Sequence, residues 1–282
     1  MTRTDQLRNL LQQPEILVMP CCHDGLSAML IEQAGFPITF MSGFAVSASK
    51  IARPDTGLIS YGEMVDQGRA ICQAVTIPVL GDGDTGYGNA VNVKRTVQGY
   101  GQAGFSCIMI EDQVSPKRCG HTQGKQVVGR HEAAMRIQAA VDARDEGTDI
   151  LIMARTDART TLGFQEALDR CQDFSNRGAD IIFMEAPESV AEMEQFCQEV
   201  ATPCMANMIQ NGKTPLLSQQ QLQAMGFKIV AYPLTLLSRY IESMQNSLRD
   251  LRNDTYPAHQ TFNELQQTLG FPQYYSEEKR YS

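Results

Sequence analysis

Residues 115–125 read SPKRCGHTQGK and set one thiol, Cys119, among three cations, Lys117, Arg118 and Lys125, with His121 two residues further on. Pro116, Gly120 and Gly124 mark the stretch as a mobile loop rather than a buried element. Cationic surroundings favour the thiolate, so three chemistries compete: a metal ligand, half of a structural disulfide, or a catalytic acid, base or nucleophile. None of the eight cysteines forms a C-x-x-C pair, and Cys21 and Cys22 are adjacent, which suits neither a zinc site nor an ordinary disulfide. The first two chemistries are the weaker ones.

A second group of residues is rich in carboxylates. Asp82 and Asp84 lie in GDGDTGYGN and Glu111 lies in CIMIEDQ, each at the end of a short apolar run. Carboxylates held close together repel unless a cation compensates them or their pKa values rise. Oxygen ligands of this kind suit Mg2+, with Mn2+ able to substitute, bound by one or two carboxylates with water and substrate completing the shell. The alternative is that GDGDTGYGN is a polar turn. Arg155 is a candidate for a bidentate grip on a substrate carboxylate, or else for a structural ion pair with Asp157 or Asp112. Ser42 and Gly43 offer a hydroxyl and a backbone N–H to a carboxylate or oxyanion.

These groups need a scaffold that brings the ends of many apolar runs together. The runs are ILVMPCC, ITFMSG, IPVLGDGD, CIMIEDQ, ILIMARTD, IIFMEAP, CMANMI and IVAYP. Near-continuous apolarity is expected of parallel strands buried on both faces. Amphipathic helical patterns such as EMVDQGRAICQAV, RHEAAMRIQAAVDARDEG and TLGFQEALDRCQDFSNRG separate them, and Gly35, Gly104, Gly147, Gly178 and Gly226 close helices. Eight strands each followed by a helix predict an α/β fold, a (β/α)8 barrel of the TIM type. An open doubly wound sheet is the runner-up, and no G-x-G-x-x-G follows the first run. In such barrels catalytic groups sit at the C-terminal ends of the strands. Ser42–Gly43, Asp82 and Asp84, Glu111, Arg155, Glu185 and Asn207 all fall there, and SPKRCGHTQGK becomes a loop over the barrel mouth, suited to excluding water. The reading is one domain over residues 1–282, with a core at about 14–250 and a C-terminal helix and tail at 254–282. MTRTDQLRNLLQQ reads as a short amphipathic helix without the apolar core of a signal peptide.

The bulk composition narrows the partners. The 282 residues are 43% hydrophobic with a net charge of −8 and no long basic cluster, which argues against nucleic acid as a partner. No 18-residue apolar run predicts a membrane span, and the expected compartment is the cytoplasm.

EDQVSPKRCGH resembles the signature of the isocitrate lyase and phosphoenolpyruvate mutase superfamily, specifically its lyase branch with a K-[KR]-C-G-H loop. MSGFAVSA, PDTGL, GDGDTGYGN, MARTDA, EAP and ANMIQNGKTPL extend the likeness over residues 10 to 250. The short form is similar to the 2-methylisocitrate, dimethylmalate and petal-death type 2-alkylmalate lyases. The resemblance implies a Mg2+-dependent barrel that breaks a carbon–carbon bond of a 2-hydroxy di- or tricarboxylate, releasing a 2-oxo acid such as pyruvate and a second carboxylate. It implies Asp82 as metal ligand, directly or through water, with Asp84 and Glu111 holding the water shell and Asp55 supporting the site. It assigns Ser42, Gly43 and Arg155 to the oxo-acid carboxylate, Glu185 and Asn207 to the other half of the substrate, and Lys117, Cys119 and His121 to the loop, with Cys119 as proton donor. Phe44 stands where some relatives have tyrosine, so no phenol can act as base there, and Pro233 stands where oxaloacetate hydrolases carry serine. Phe44, Glu185, Asn207 and Pro233 surround the variable half of the substrate. The alternatives are an oxaloacetate hydrolase or decarboxylase, a carboxyphosphonoenolpyruvate mutase, and a barrel that only binds a metabolite. The family also implies a homotetramer in which a late helix is swapped between subunits.

Overall fold

The strands predicted from the apolar runs are all present in the computed structural model, which describes residues 1–120 and 124–282. They are β1 (Leu17–Cys22), β2 (Thr39–Met41), β3 (Val79–Asp82), β4 (Cys107–Glu111), β5 (Leu151–Thr156), β6 (Ile181–Met184), β7 (Cys204–Asn207) and β8 (Phe227–Tyr232). Every neighbouring pair is parallel, and β8 pairs with β1, so the sheet closes into a barrel in sequence order. The open doubly wound alternative is thereby excluded.

Alternation along the strands divides the interior into two packed layers. Met19, Cys21, Phe40, Leu80, Met109, Met153, Phe183, Met205 and Ile229 fill the barrel itself. The intervening residues, among them Cys22, Met41, Ile108, Ile110, Ile152, Ile182 and Val230, pack outward beneath the helices. Each strand therefore shows a near-continuous apolar run, because both of its faces are largely dry.

Helix α1 (Arg3–Gln12) contributes Leu7 to the inner layer, and Thr4 Oγ1 donates to the Asp149 carbonyl at 3.0 Å, just ahead of β5. It closes the end where the strands begin and leaves the opposite end as the mouth. The barrel helices are α2 (Gly25–Gln33), α3 (Gly43–Ile51), α4 (Tyr61–Ala74), α5 (Ala90–Ala103), α6 (Arg130–Asp145), α7 (Ala158–Leu162), α8 (Phe164–Asn176), α9 (Val190–Glu199) and α10 (Gln219–Met225). The five glycines expected to close helices all have positive φ. TLGFQEALDRCQDFSNRG is not one helix: Gly163, at φ 97°, separates α7 from α8.

Beyond β8 come α11 (Thr235–Arg252), α12 (Phe262–Thr268) and α13 (Phe271–Tyr281). The chain divides into two compact units, Met1–Ser238 with the barrel and Arg239–Ser282. PAHQTFNELQQTLG becomes helical only after Thr261, whose side chain accepts from the Glu264 N–H in a capping box. The stretch read as a tail is α13, with Pro272 in its first turn, where proline needs no N–H donor. Among the described residues no helix is long and apolar enough to cross a membrane.

Candidate active site

Asp82 ends β3, and its side chain is held by backbone rather than by cations. Oδ2 accepts from the Gly43 N–H at 3.2 Å and Oδ1 from the Asp84 N–H at 3.0 Å, while Tyr100 Oη donates to the Asp82 carbonyl at 2.6 Å. A β-carbon on Gly43 would lie 2.4 Å from Asp82 Oδ2, so any larger residue there would displace the Asp82 carboxylate. The Gly43 N–H expected to serve a substrate donates here to Asp82. Ser42 caps α3, its hydroxyl oxygen accepting from the Ala45 N–H at 3.3 Å.

Lys117 reaches down from the loop after β4 into the acidic group. Its Nζ lies 2.7 Å from Asp55 Oδ1 and 2.8 Å from Asp84 Oδ1, with every partner buried. Burial alone would lower its pKa, but Asp84, Asp82, Glu111 and Asp55 outweigh that and hold it well above the usual lysine value. Burial, followed by the charges of Asp82 and Asp55, raises the Asp84 carboxyl to about 6 despite Lys117. Burial also pushes Glu111 well above its ordinary range, with Arg155 opposing. Four carboxylates therefore share one ammonium and part of one guanidinium.

Asp55, Asp82, Asp84 and Glu111 do not close into a ready-made ligand set. Among the described residues no three His, Cys, Asp or Glu side chains are grouped to hold a metal ion directly. The donor chemistry nonetheless fits a hard divalent cation that keeps its water. Glu111 Oε1 is buried without a hydrogen-bond partner, and the local charge is negative.

Arg155, from β5, sits on the other side of the mouth. Nε and Nη2 donate to Asp157 at 2.8 and 3.0 Å, so the structural ion pair exists, and Nη2 also approaches Glu185 Oε2 at 3.1 Å. Its Nε lies 3.4 Å from Glu111 Oε2, and its guanidinium carbon sits 5.3 Å from the Phe183 ring centroid. Burial would raise the Asp157 pKa, but Arg155 and Lys125 outweigh it and hold that carboxyl below the usual range. Asn207 Nδ2 lies 3.5 Å from both oxygens of Glu185.

Several of these groups line one pocket of about 610 Å³, counting the part open to solvent, while Gly43, Asp84, Glu111 and Asp157 are not among its lining residues. Ser42, Asp55, Asp82, Lys117, Arg155, Glu185 and Asn207 supply its polar wall, and Cys119 and Gly120 cover it from the loop. Phe44 and Pro233 line the pocket as expected. Ile209 and Leu234 extend their apolar wall, while Cys21, Phe40, Met109, Phe183 and Met205 also face in. These last residues lack polar groups and were signalled only by strand alternation. The described part of the loop is seated, not free: Lys117 and Lys125 are buried, and a β-carbon on Gly120 would lie 2.5 Å from both Arg155 Nη2 and Glu185 Oε2. His121 lies outside the described residues.

The pocket, its acidic side and its cysteine loop agree with the residue-by-residue likeness, and comparison with known proteins decides the family. The model of the phosphoenolpyruvate phosphomutase family matches residues 7–252. This chain belongs to the phosphoenolpyruvate mutase/isocitrate lyase superfamily. It is 40% identical to the 2,3-dimethylmalate lyase of Eubacterium barkeri, over 100% of this chain and 99% of that protein. It is 42% identical to a 2-methylisocitrate lyase of Aeropyrum pernix, over 87% and 78%. Among solved structures, oxaloacetate acetylhydrolase in complex with 3,3-difluorooxalacetate superposes with a TM-score of 0.94 at 32% identity, over 99% and 96% of the two chains. Phosphonopyruvate hydrolase with oxalate and Mg2+ superposes at 0.87 and 30%, over 100% and 99%. Superfamily membership therefore leaves several reactions to be weighed against the pocket.

Proposed function

We propose that this chain is a Mg2+-dependent carbon–carbon lyase that cleaves a 2-hydroxy di- or tricarboxylate of the 2-alkylmalate or 2-methylisocitrate type into a 2-oxo acid and a second carboxylate. One observation carries the reading: a loop cysteine covers a pocket whose two polar sides, Asp82 with its acidic neighbours and Arg155 with Glu185 and Asn207, flank an apolar wall. The strong likeness to lyases of both substrate types supports it.

Asp82 would hold Mg2+ directly or through water, with Asp84, Glu111 and Asp55 on its water shell, and Mn2+ would substitute. When bound, the ion lowers the cost of negative charge on the substrate's 2-oxygen. Arg155 and the Ser42 hydroxyl bind and orient the carboxylate next to that oxygen, and Gly43 holds Asp82 in place. Transfer of the C2 hydroxyl proton to a base on the acidic side of the pocket would let the C2–C3 bond break, its electron pair moving onto the departing carbon as an aci-carboxylate. Cys119 gives its thiol proton to that carbon, becoming a thiolate that is reprotonated before the next turnover. Glu185 and Asn207 would contact the other half of the substrate, Asn207 through its Nδ2 donor, and Lys117 balances the acidic side; a part for His121 beside Cys119 rests on the sequence motif alone. Exclusion of water by the seated loop strengthens all of these contacts.

Phe44, Ile209, Pro233 and Leu234 give the variable half an apolar wall, which favours an alkyl substituent. The likeness to oxaloacetate acetylhydrolase keeps oxaloacetate hydrolysis as a second reading, but Pro233 brings no hydroxyl to the pocket. The deciding experiment offers 2-alkylmalates, 2-methylisocitrate, isocitrate and oxaloacetate with Mg2+, and reads pyruvate and glyoxylate separately. Turnover of oxaloacetate alone would replace the lyase reading, and no turnover of any acid would leave a binding barrel.

The eight cysteines, none of them in a disulfide, suit the reducing cytoplasm. A homotetramer with a swapped late helix is supported by exposed Ile241, Met244, Leu248 and Leu251, which recur along α11 at helical spacing.

A further inference from the structure

Lys125 stands at the far end of the loop that carries Lys117 and Cys119, yet its side chain is only 2% exposed. Its Nζ lies 2.7 Å from Oδ1 of Asp157, whose side chain is fully buried. That same oxygen accepts from Arg155 Nη2, while Oδ2 accepts from Arg155 Nε. One carboxylate therefore joins the loop's last cation to the guanidinium read as the substrate grip.

Asp157 cannot drift to follow either partner. Its N–H donates to Asp112 Oδ1 at 2.9 Å, and Asp112 Oδ2 accepts from Thr156 Oγ1 at 2.6 Å and from Arg170 Nη1 of α8 at 2.9 Å. At the loop's other end, Lys117 is bound to Asp55 and Asp84, and between the two lysines Gly120 presses on Arg155 and Glu185.

We propose that Lys125 and Asp157 are positioning residues: their ion pair ties the loop to Arg155, so that the loop bearing Cys119 and the carboxylate grip take up their working places together. The proposal rests on reading Arg155 as the group that holds the substrate carboxylate. Losing the tie shifts Cys119 relative to the bound substrate without removing any group that touches it. Misplacement on the scale of an ångström costs about a hundredfold in rate.

The test has one arm independent of catalysis. Arg118 is exposed, so trypsin can cut the free enzyme after it, and the cutting rate reports how firmly the loop is seated. Lys125→Met should be cut several times faster than wild type at that bond, as identified by mass spectrometry. Its kcat should fall about a hundredfold while KM moves far less, and Lys125→Arg should restore both. In Lys125→Met the Asp157 carboxylate keeps Arg155 as its partner, so no buried charge is stranded. Lys125→Gln carries the same expectations should the methionine variant not fold. A folded variant cut at the wild-type rate would overturn the tie, as would a kcat loss that arginine does not rescue. If the wild-type enzyme turns over none of the four acids, the lyase reading fails on its own, and the cutting rate still decides whether Lys125 holds the loop.

Discussion

Two thiols line the pocket, and their surroundings separate them. Cys21 is buried in the barrel floor, where desolvation followed by the charges of Cys22 and Asp82 pushes its pKa well above the usual thiol value. Burial pushes neighbouring Cys22 up to about 12. Neither can exchange a proton readily near neutrality. Cys119 is half-buried on the loop, next to the space a substrate would fill. If it is the acid, Cys119→Ser and Cys119→Ala should each lower kcat by roughly 10²–10⁴-fold, the span typical of general-acid catalysis. Calorimetric binding of pyruvate with Mg2+ should persist, because Asp82, Arg155 and Ser42 are untouched. Near-wild-type turnover of Cys119→Ser would remove the thiol from the chemistry.

The loop after β4 works as an element because its backbone, not only its side chains, fits the mouth. Gly120 has no room for a methyl group between Arg155 and Glu185. Gly120→Ala should therefore hold the loop off the pocket, cutting kcat by about a hundredfold. The thermal midpoint should stay near that of wild type, since both barrel layers are built without this residue. A variant with normal kcat would show that the seated position is not the working one. The strands impose the complementary constraint. Asp82, Glu111, Arg155 and Asn207 each lie in the last two residues of a strand, so the barrel holds their relative positions more rigidly than a loop could.

Two expectations belong to the whole molecule. The acidic side of the mouth carries more carboxylate than Lys117 balances, so excess chelator should abolish turnover and added Mg2+ or Mn2+ should restore it. Full activity in chelator would end the metal reading. The apolar row on α11 is longer than an isolated chain leaves in water without consequence. Light scattering at micromolar concentration should give the mass of four chains, and a monomer would refute the assembly proposal. Replacing Ile241 and Leu248 together by lysine should split the assembly while leaving the barrel folded, as circular dichroism would report.

Eight dry strands write themselves into a sequence as eight apolar runs, because parallel strands covered by helices must be apolar on both faces. The barrel was legible for that reason, and so was the place of the candidate site: Asp82, Glu111, Arg155, Glu185 and Asn207 are polar residues where such runs end. Local signals were less complete where helices meet loops. Gly163 divided a continuous amphipathic pattern, and α13 formed from a stretch with tail-like composition. What the sequence left open were partnerships between distant residues. Lys117 and Lys125 look alike in a polar loop, yet one is buried against Asp55, 62 positions away, and the other against Asp157, 32 positions away. Gly43 read as a donor to substrate, and its N–H donates to Asp82 across 39 positions. Composition and periodicity report which faces must be dry, a property of each segment alone. Which cation neutralises which carboxylate depends on where barrel closure brings the ends of separate strands, and only the tertiary structure decides that.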